Sequence, residues 1–202
     1  MTATSPSSYV AIGDSFTAGV PGADSRWPDE LASLLRVVEY RNLGVAGATS
    51  AEVAADQLDK CVALRPDLVT VICGANDVLL SVRPDIEGYA ETFDHMLAQL
   101  TDELPAADVL TATTPDLSTF MSLRPRSRER VARGMQELNR VTRAIARRHG
   151  IPCLEFAEHP RAGDRENFAD DGFHPSPEGN RRAALAFALA LDLDIDLPEV
   201  IA

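Results

Sequence analysis

The chain has 202 residues, 45% of them apolar and 25% charged, which suits one globular domain with a substantial core. Nineteen Lys and Arg against thirty-one Asp and Glu leave a formal charge of -12. The mean field therefore repels polyanions and excludes DNA, RNA and anionic lipid surfaces as default partners. No stretch approaches the roughly 20 apolar residues of a spanning helix, so stable membrane insertion is not expected.

The N-terminal run MTATSPSSYVAIGDS has neither a basic n-region nor a long apolar h-region, and reads as unprocessed and cytoplasmic. Cys61, Cys73 and Cys153 lie in apolar surroundings without C-x-x-C spacing, the pattern of buried reduced thiols rather than a disulfide or zinc site. His95, His149, His159 and His174 are scattered with no metal-ligand spacing, so no metal is expected.

Short apolar runs alternate with amphipathic stretches along the chain, without internal repeats. Ser8 to Gly13 predicts a first strand, and Trp27 to Val38 a helix with Leu31, Leu34 and Leu35 on one face. Glu39 to Leu43 is the second strand. A helix over Ser50 to Leu64 is expected to be capped by the Ser50 hydroxyl and to stop before Pro66. Asp67 to Cys73 (DLVTVIC) is nearly all apolar and rich in β-branched residues, as a strand covered on both faces should be.

The second half repeats the rhythm. Asp85 to Leu104 predicts a helix, Ala107 to Thr113 a fourth strand, and Ser127 to His149 a long helix ended by Gly150 and Pro152. Ile151 to Phe156 is the fifth strand, and a polar loop through Asp164 and Asp171 leads to a last helix over Pro177 to Leu191. Each strand-to-strand connection contains a helix, which gives right-handed crossovers and an α/β class fold, a three-layer α/β/α sandwich. One domain is expected over 1–202, with its core at about 8–191 and an acidic, solubilising tail at 192–202.

In such sheets ligands collect beyond the carboxyl ends of the strands. The segments standing there are Gly13-Asp14-Ser15, then Asn42-Leu43-Gly44-Val45-Ala46-Gly47, then Gly74-Ala75-Asn76-Asp77, and finally Asp171-Gly172-Phe173-His174. They hold what acyl transfer uses. A Ser hydroxyl becomes a nucleophile when a base takes its proton, and a neutral His is the natural base near pH 7. An Asp three residues before that His can hold its tautomer, while an Asn amide and a Gly N–H can stabilise an oxyanion.

The G-D-S motif, the N-x-G-x-x-G stretch, the G-x-N-D motif and the late D-x-x-H pair resemble the SGNH (GDSL) hydrolases, a family of esterases, lipases and acyl thioesterases. The resemblance runs from about Tyr9 to the last helix. It implies a flavodoxin-like five-stranded parallel sheet with Ser15 as nucleophile, His174 as general base and acid, and Asp171 as the residue orienting His174. It also implies an oxyanion hole of the Ser15 and Gly47 N–H groups and the Asn76 amide, Gly47 rather than Gly44 standing in the family position before Ala48-Thr49. Asp170 is the neighbouring alternative to Asp171. The implied substrate is a small-molecule ester or thioester, cleaved through an acyl-enzyme without metal or organic cofactor; the acyl length and leaving group stay open.

Other features read more plainly. His149 is expected to cap its helix, His95 to be a surface or satisfied residue, and His159 a solvated loop residue. Lys60 is the single lysine, and Arg126, Arg130, Arg133, Arg140 and Arg147 fall opposite Val131, Met135, Leu138 and Ile145 on the long helix. A solvated outer face is the expectation, with a patch for phosphate-bearing acyl carriers as the alternative. Leu117, Phe120, Met121 and Leu123, after the fourth strand, are expected to form an acyl-chain wall or lid, the alternative being a satellite core. Two competing functions remain: a flavin or nucleotide carrier, which lacks a G-x-G-x-x-G here, and a catalytically silent binding module of the same fold.

Overall fold

A computed structural model describes residues 5–19 and 26–191; the acidic tail lies outside the described residues. Five strands, β1 (Ser8–Gly13), β2 (Glu39–Asn42), β3 (Leu68–Ile72), β4 (Asp108–Ala112) and β5 (Cys153–Leu154), form one parallel sheet in the order β2-β1-β3-β4-β5. The chain leaves β1 for β2 on one side and returns to β3 on the other. That reversal opens a crevice at the carboxyl ends of β1 and β3, where Gly13 stands opposite Ile72.

Period-two alternation divides the core between the two faces. Tyr9, Ala11, Leu68, Leu110 and Ala112 pack with Trp27 and Leu31 of α2 (Trp27–Leu34) and Ala184 and Phe187 of α8 (Pro177–Ala190). Val10, Ile12, Val69, Val71 and Val109 turn the other way, toward Phe93 and Leu97 of α6 (Ile86–Glu103) and Met135 and Leu138 of α7 (Pro125–Arg148). Both faces are covered, which is why these strands read as continuous apolar runs.

The sequence expectations need adjusting at several ends. Helix α2 stops at Leu34 rather than Val38, because Arg36 takes a positive φ of 56° and Val38 is left 84% exposed. Thr49, not Ser50, caps the third helix: its side chain accepts from the Glu52 amide while Glu52 bonds back to the Thr49 N–H, a reciprocal capping box. That helix is α3 (Ser50–Val53), a π-helical turn Ala54–Leu58, and α4 (Asp59–Leu64). It ends where Arg65 enters the left-handed region at φ 48°. The edge strand β5 pairs over Cys153–Leu154 alone. Two short helices, α1 (Ser15–Ala18) and α5 (Ala75–Leu79), begin just beyond β1 and β3.

The arginine stripe is solvated except at Arg130. Its Nη1 donates to the Val78 carbonyl at 2.9 Å and to the Ser81 carbonyl, tying α7 to the end of α5. His149 stands at the C-cap of α7, and its Nε2 lies 2.8 Å from Asp94 Oδ1; His95 is exposed. The three thiols are free, and burial pushes Cys61 up to about 12 and Cys153 up to about 11. Among the described residues no helix is long and apolar enough to cross a membrane.

Candidate active site

Ser15 stands immediately beyond β1, at the first position of α1. The preceding turn is held from three directions. The Asp14 N–H donates to the Ile72 carbonyl at 3.1 Å, and Asp14 Oδ1 caps α1 by accepting from the Phe16 N–H at 2.9 Å. From the π-helical turn, Gln57 accepts from the Gly13 N–H at 2.8 Å and donates to the Gly13 carbonyl at 2.9 Å. Gly13 itself admits no side chain, since a Cβ would lie 2.0 Å from the Ile72 carbonyl oxygen. The nucleophile candidate thus rests on a backbone with little freedom.

His174 arrives from the other end of the sequence. Its Nε2 is 2.9 Å from Ser15 Oγ and its Nδ1 is 2.6 Å from Asp171 Oδ2. An ionised carboxylate accepts only, so Nδ1 carries the proton and Nε2 presents its lone pair to the Ser15 hydroxyl. The other carboxylate oxygen of Asp171 accepts from the Phe173 and His174 amides, both at 3.0 Å. Burial works against the Asp171 charge, but the Phe173 amide and the His174 ring and amide together hold its carboxyl below the usual range. Asp171, rather than Asp170, is the partner of the imidazole.

The D-x-x-H turn depends on the loop after β4. Gly172 has φ 80°, and a Cβ there would lie 2.5 Å from the Phe120 carbonyl oxygen, so that loop packs directly against the turn. Leu117, Phe120 and Met121, expected as an acyl wall, stand on that loop. Leu117 is fully buried, Phe120 and Met121 pack against the same core, and the Phe120 ring lies 5.2 Å from Phe168. Of the three, Phe120 is the one that abuts Gly172.

The remaining candidates come from the ends of β2 and β3. Asn76, 8% exposed, donates one amide proton to the Ala48 carbonyl at 2.9 Å and has a second to offer. Gly47 is exposed, with φ 84° and nothing within 4 Å of where a Cβ would be. Their two loops are tied again by Asp77, whose carboxylate accepts from the Ser50 N–H at 2.9 Å and the Ser50 hydroxyl at 2.6 Å. Asn42 bridges the ends of β2 and α1, donating to the Thr17 carbonyl at 2.7 Å and accepting from the Gly44 N–H at 3.0 Å. Trp27 Nε1 donates to the Phe16 carbonyl at 2.7 Å.

Gln57, Ser50 and Trp27 are supporting residues that sequence reasoning passed over. Their partners are backbone groups or distant side chains, and no local pattern reports such contacts. Asn42 and Asp77 were visible, as members of the second and third motifs. Asp14 is the remaining buried group: its Oδ2 and the Thr17 hydroxyl have no hydrogen-bond partner among the described residues. Burial pushes the Asp14 carboxyl up to about 7, opposed by the Phe16 amide and assisted by the nearby Asp77 charge. Among the described residues no group of three His, Cys, Asp or Glu converges as metal ligands would.

The doubly wound parallel sheet thus carries the Ser15 hydroxyl, the His174 imidazole and the Asp171 carboxylate in hydrogen-bonded series at its carboxyl edge. Residues 11–182 match the model of the GDSL-like lipase/acylhydrolase family, and the chain belongs to that family. That membership supports hydrolase or esterase activity. Solved structures share the fold. The lipase/acylhydrolase from Enterococcus faecalis is 21% identical with a TM-score of 0.73, over 96% of this chain and 99% of that one. A catalytic mutant of Axe2, an acetylxylan esterase from Geobacillus stearothermophilus, is 20% identical with a TM-score of 0.74, over 96% and 98%. LAE5, an alpha/beta hydrolase enzyme from the metagenome of Lake Arreo, Spain, is 24% identical with a TM-score of 0.68, over 91% and 94%. No curated protein matches the chain in sequence.

Proposed function

We propose that the chain is a serine esterase acting on small-molecule carboxylic esters or thioesters through an acyl-enzyme. The observation that carries this reading is the continuous array Ser15–His174–Asp171, with contacts of 2.9 and 2.6 Å. His174 Nε2 takes the proton as Ser15 Oγ bonds to the acyl carbon, and the charge that develops on the carbonyl oxygen is met by the Ser15 and Gly47 N–H groups and the free Asn76 amide proton. The bond to the leaving oxygen or sulfur then breaks, and His174 returns the proton to it. Water repeats the sequence on the acyl-enzyme and releases the acid. Asp171 keeps Nδ1 protonated and stabilises the imidazolium between the two proton transfers.

Each role has support beyond the array. The depressed Asp171 carboxyl stays ionised at neutral pH, as an orienting group must. The Asn76 bond to Ala48 fixes its amide at the junction of two loops before any substrate arrives, and preorganised donors cost no reorganisation in the transition state. A flavodoxin-like carrier would have no use for an imidazole hydrogen-bonded between a hydroxyl and a carboxylate. The test is labelling with a fluorophosphonate, which reacts fast only with an activated serine. Labelling of the wild type that disappears in Ser15→Ala, together with loss of p-nitrophenyl acetate hydrolysis, is expected; an equally active Ser15→Ala variant overturns the assignment.

A further inference from the structure

The mechanism above assigns no part to Asp14, although its peptide bond leads directly into Ser15 and its surroundings are unusual for an acid. The side chain is 1% exposed. Its Oδ1 accepts from the Phe16 N–H at 2.9 Å, whereas Oδ2 has no hydrogen-bond partner among the described residues. A buried carboxylate needs several donors or a cation in place of the water it has lost. One backbone N–H on one oxygen falls well short of that.

No neighbouring element supplies what is missing. From α5, Asp77 brings a second carboxylate, itself held by the Ser50 N–H and hydroxyl, and its charge opposes ionisation of Asp14. Just beyond β3, the Cys73 thiol is raised well above its ordinary range, chiefly by burial and then by Asp14 and Asp77, and stays neutral. Gln57, from the π-helical turn, spends both ends of its amide on Gly13. The Thr17 hydroxyl, buried in α1, has no partner either and so does not stabilise a carboxylate. His174 is engaged by Ser15 and Asp171. A proton on Oδ2 resolves the conflict, because the acid becomes neutral while Oδ1 still accepts from the Phe16 amide.

We propose that Asp14 is a positioning residue for Ser15 that works in its protonated form, and that release of this proton to solvent lowers turnover on the alkaline side. The inference rests on the reading of Ser15 as the nucleophile. Two effects run the same way. Asp14 caps α1, whose first residue is Ser15, and an ionised side chain with a bare oxygen draws water into the turn that aims Oγ. The peptide group joining the two residues also carries the Ser15 N–H that receives the oxyanion, so the new charge arises beside the place where the reaction puts another. His174 meets Ser15 from the hydroxyl end and gains less from that charge. Two like charges roughly 7 Å apart in a partly buried site slow the step on the order of tenfold to a hundredfold. The position of the switch follows from burial, which pushes the Asp14 carboxyl up to about 7.

The experiment measures kcat for p-nitrophenyl acetate from about pH 6 to about pH 9 in the wild type and in Asp14→Asn, beside fluorophosphonate labelling of Ser15 and urea unfolding at each pH. Asn is neutral throughout and keeps an oxygen for the Phe16 amide, so the variant is expected to work within a few-fold of the wild type at the acid end. The dependence on a neutral His174 is common to both and cancels in their ratio. That ratio is expected to rise in favour of Asp14→Asn on the order of tenfold or more by the alkaline end, with its midpoint near 7. A merely structural role would depress the variant equally at every pH, and such a flat ratio overturns the proposal. Should Asp14→Asn fold poorly, infrared spectra of the wild type decide: a carboxylic-acid band at the acid end that is lost at the alkaline end supports the protonated form, and its absence at both overturns it. Absence of labelling in the wild type instead overturns the nucleophile assignment, and this role of Asp14 with it.

Discussion

The side chain of Gln57 holds both backbone groups of Gly13, accepting from its N–H at 2.8 Å and donating to its carbonyl at 2.9 Å. Gln57 is 2% exposed and comes from the π-helical turn between α3 and α4, a feature often found near functional sites. Two buried backbone groups would lose their partners in Gln57→Leu, at roughly 1–3 kcal/mol each. We expect a loss of about 2–5 kcal/mol in urea unfolding, and in the surviving folded protein a lower kcat at nearly constant KM, because the Ser15 turn loosens while the substrate walls remain. A rise confined to KM would mean that Gln57 acts on binding rather than on the nucleophile.

The site itself predicts a graded series. Ser15→Ala and His174→Ala should each lower kcat by a factor on the order of 10⁶, and Asp171→Asn by about 10⁴, since the imidazole keeps its place but loses its tautomer control. Asn76→Ala should cost about 10²–10³. The double variant Ser15→Ala/His174→Ala should be hardly worse than either single one, because the two act as a unit. Steady-state kinetics on one activated ester checks all five; additive losses in the double variant would speak against a shared proton-transfer step.

The backbone of this fold was legible because its two periods are clean: buried runs for β1 and β3, and a 3.6-residue apolar stripe for α7. The four site segments were legible for a related reason, as each follows a strand or precedes the last helix. What escaped was whatever depends on packing between distant segments. Leu117, Phe120 and Met121 look like a substrate wall by composition, yet Leu117 is fully buried and the Phe120 carbonyl abuts Gly172.

That buttress under the D-x-x-H turn is testable at Gly172. A side chain there meets both obstacles at once: φ is 80°, and the Cβ would stand 2.5 Å from the Phe120 carbonyl oxygen. Backbone strain alone costs about 1–2 kcal/mol, and relief requires the turn or the Phe120 loop to shift. Gly172→Ala is therefore expected to lower kcat well beyond what its stability loss explains, since the Asp171 carboxylate and His174 ring share that turn. Fluorophosphonate labelling rates give the check: a wild-type rate in Gly172→Ala would show the array tolerates the shift.

Asp14 makes folding stability depend on pH in an unusual direction. Its folded carboxyl is pushed up to about 7, chiefly by burial, whereas the unfolded chain releases that proton near pH 4. Between those values the folded state binds one proton more than the unfolded state, so stability falls as pH rises through this window, by up to about 3–4 kcal/mol if nothing compensates. Above pH 7 both states are ionised and the penalty becomes constant. Asp171 runs the other way, its depressed carboxyl contributing stability that disappears only as the pH drops below about 4. Asp14→Asn has no proton to lose and still offers an oxygen to the Phe16 amide. It should match the wild type at or below about pH 4 and exceed it at pH 8, and urea unfolding at the two values decides. A variant less stable than the wild type at pH 8 would mean that Asp14 is ionised and well solvated in the fold.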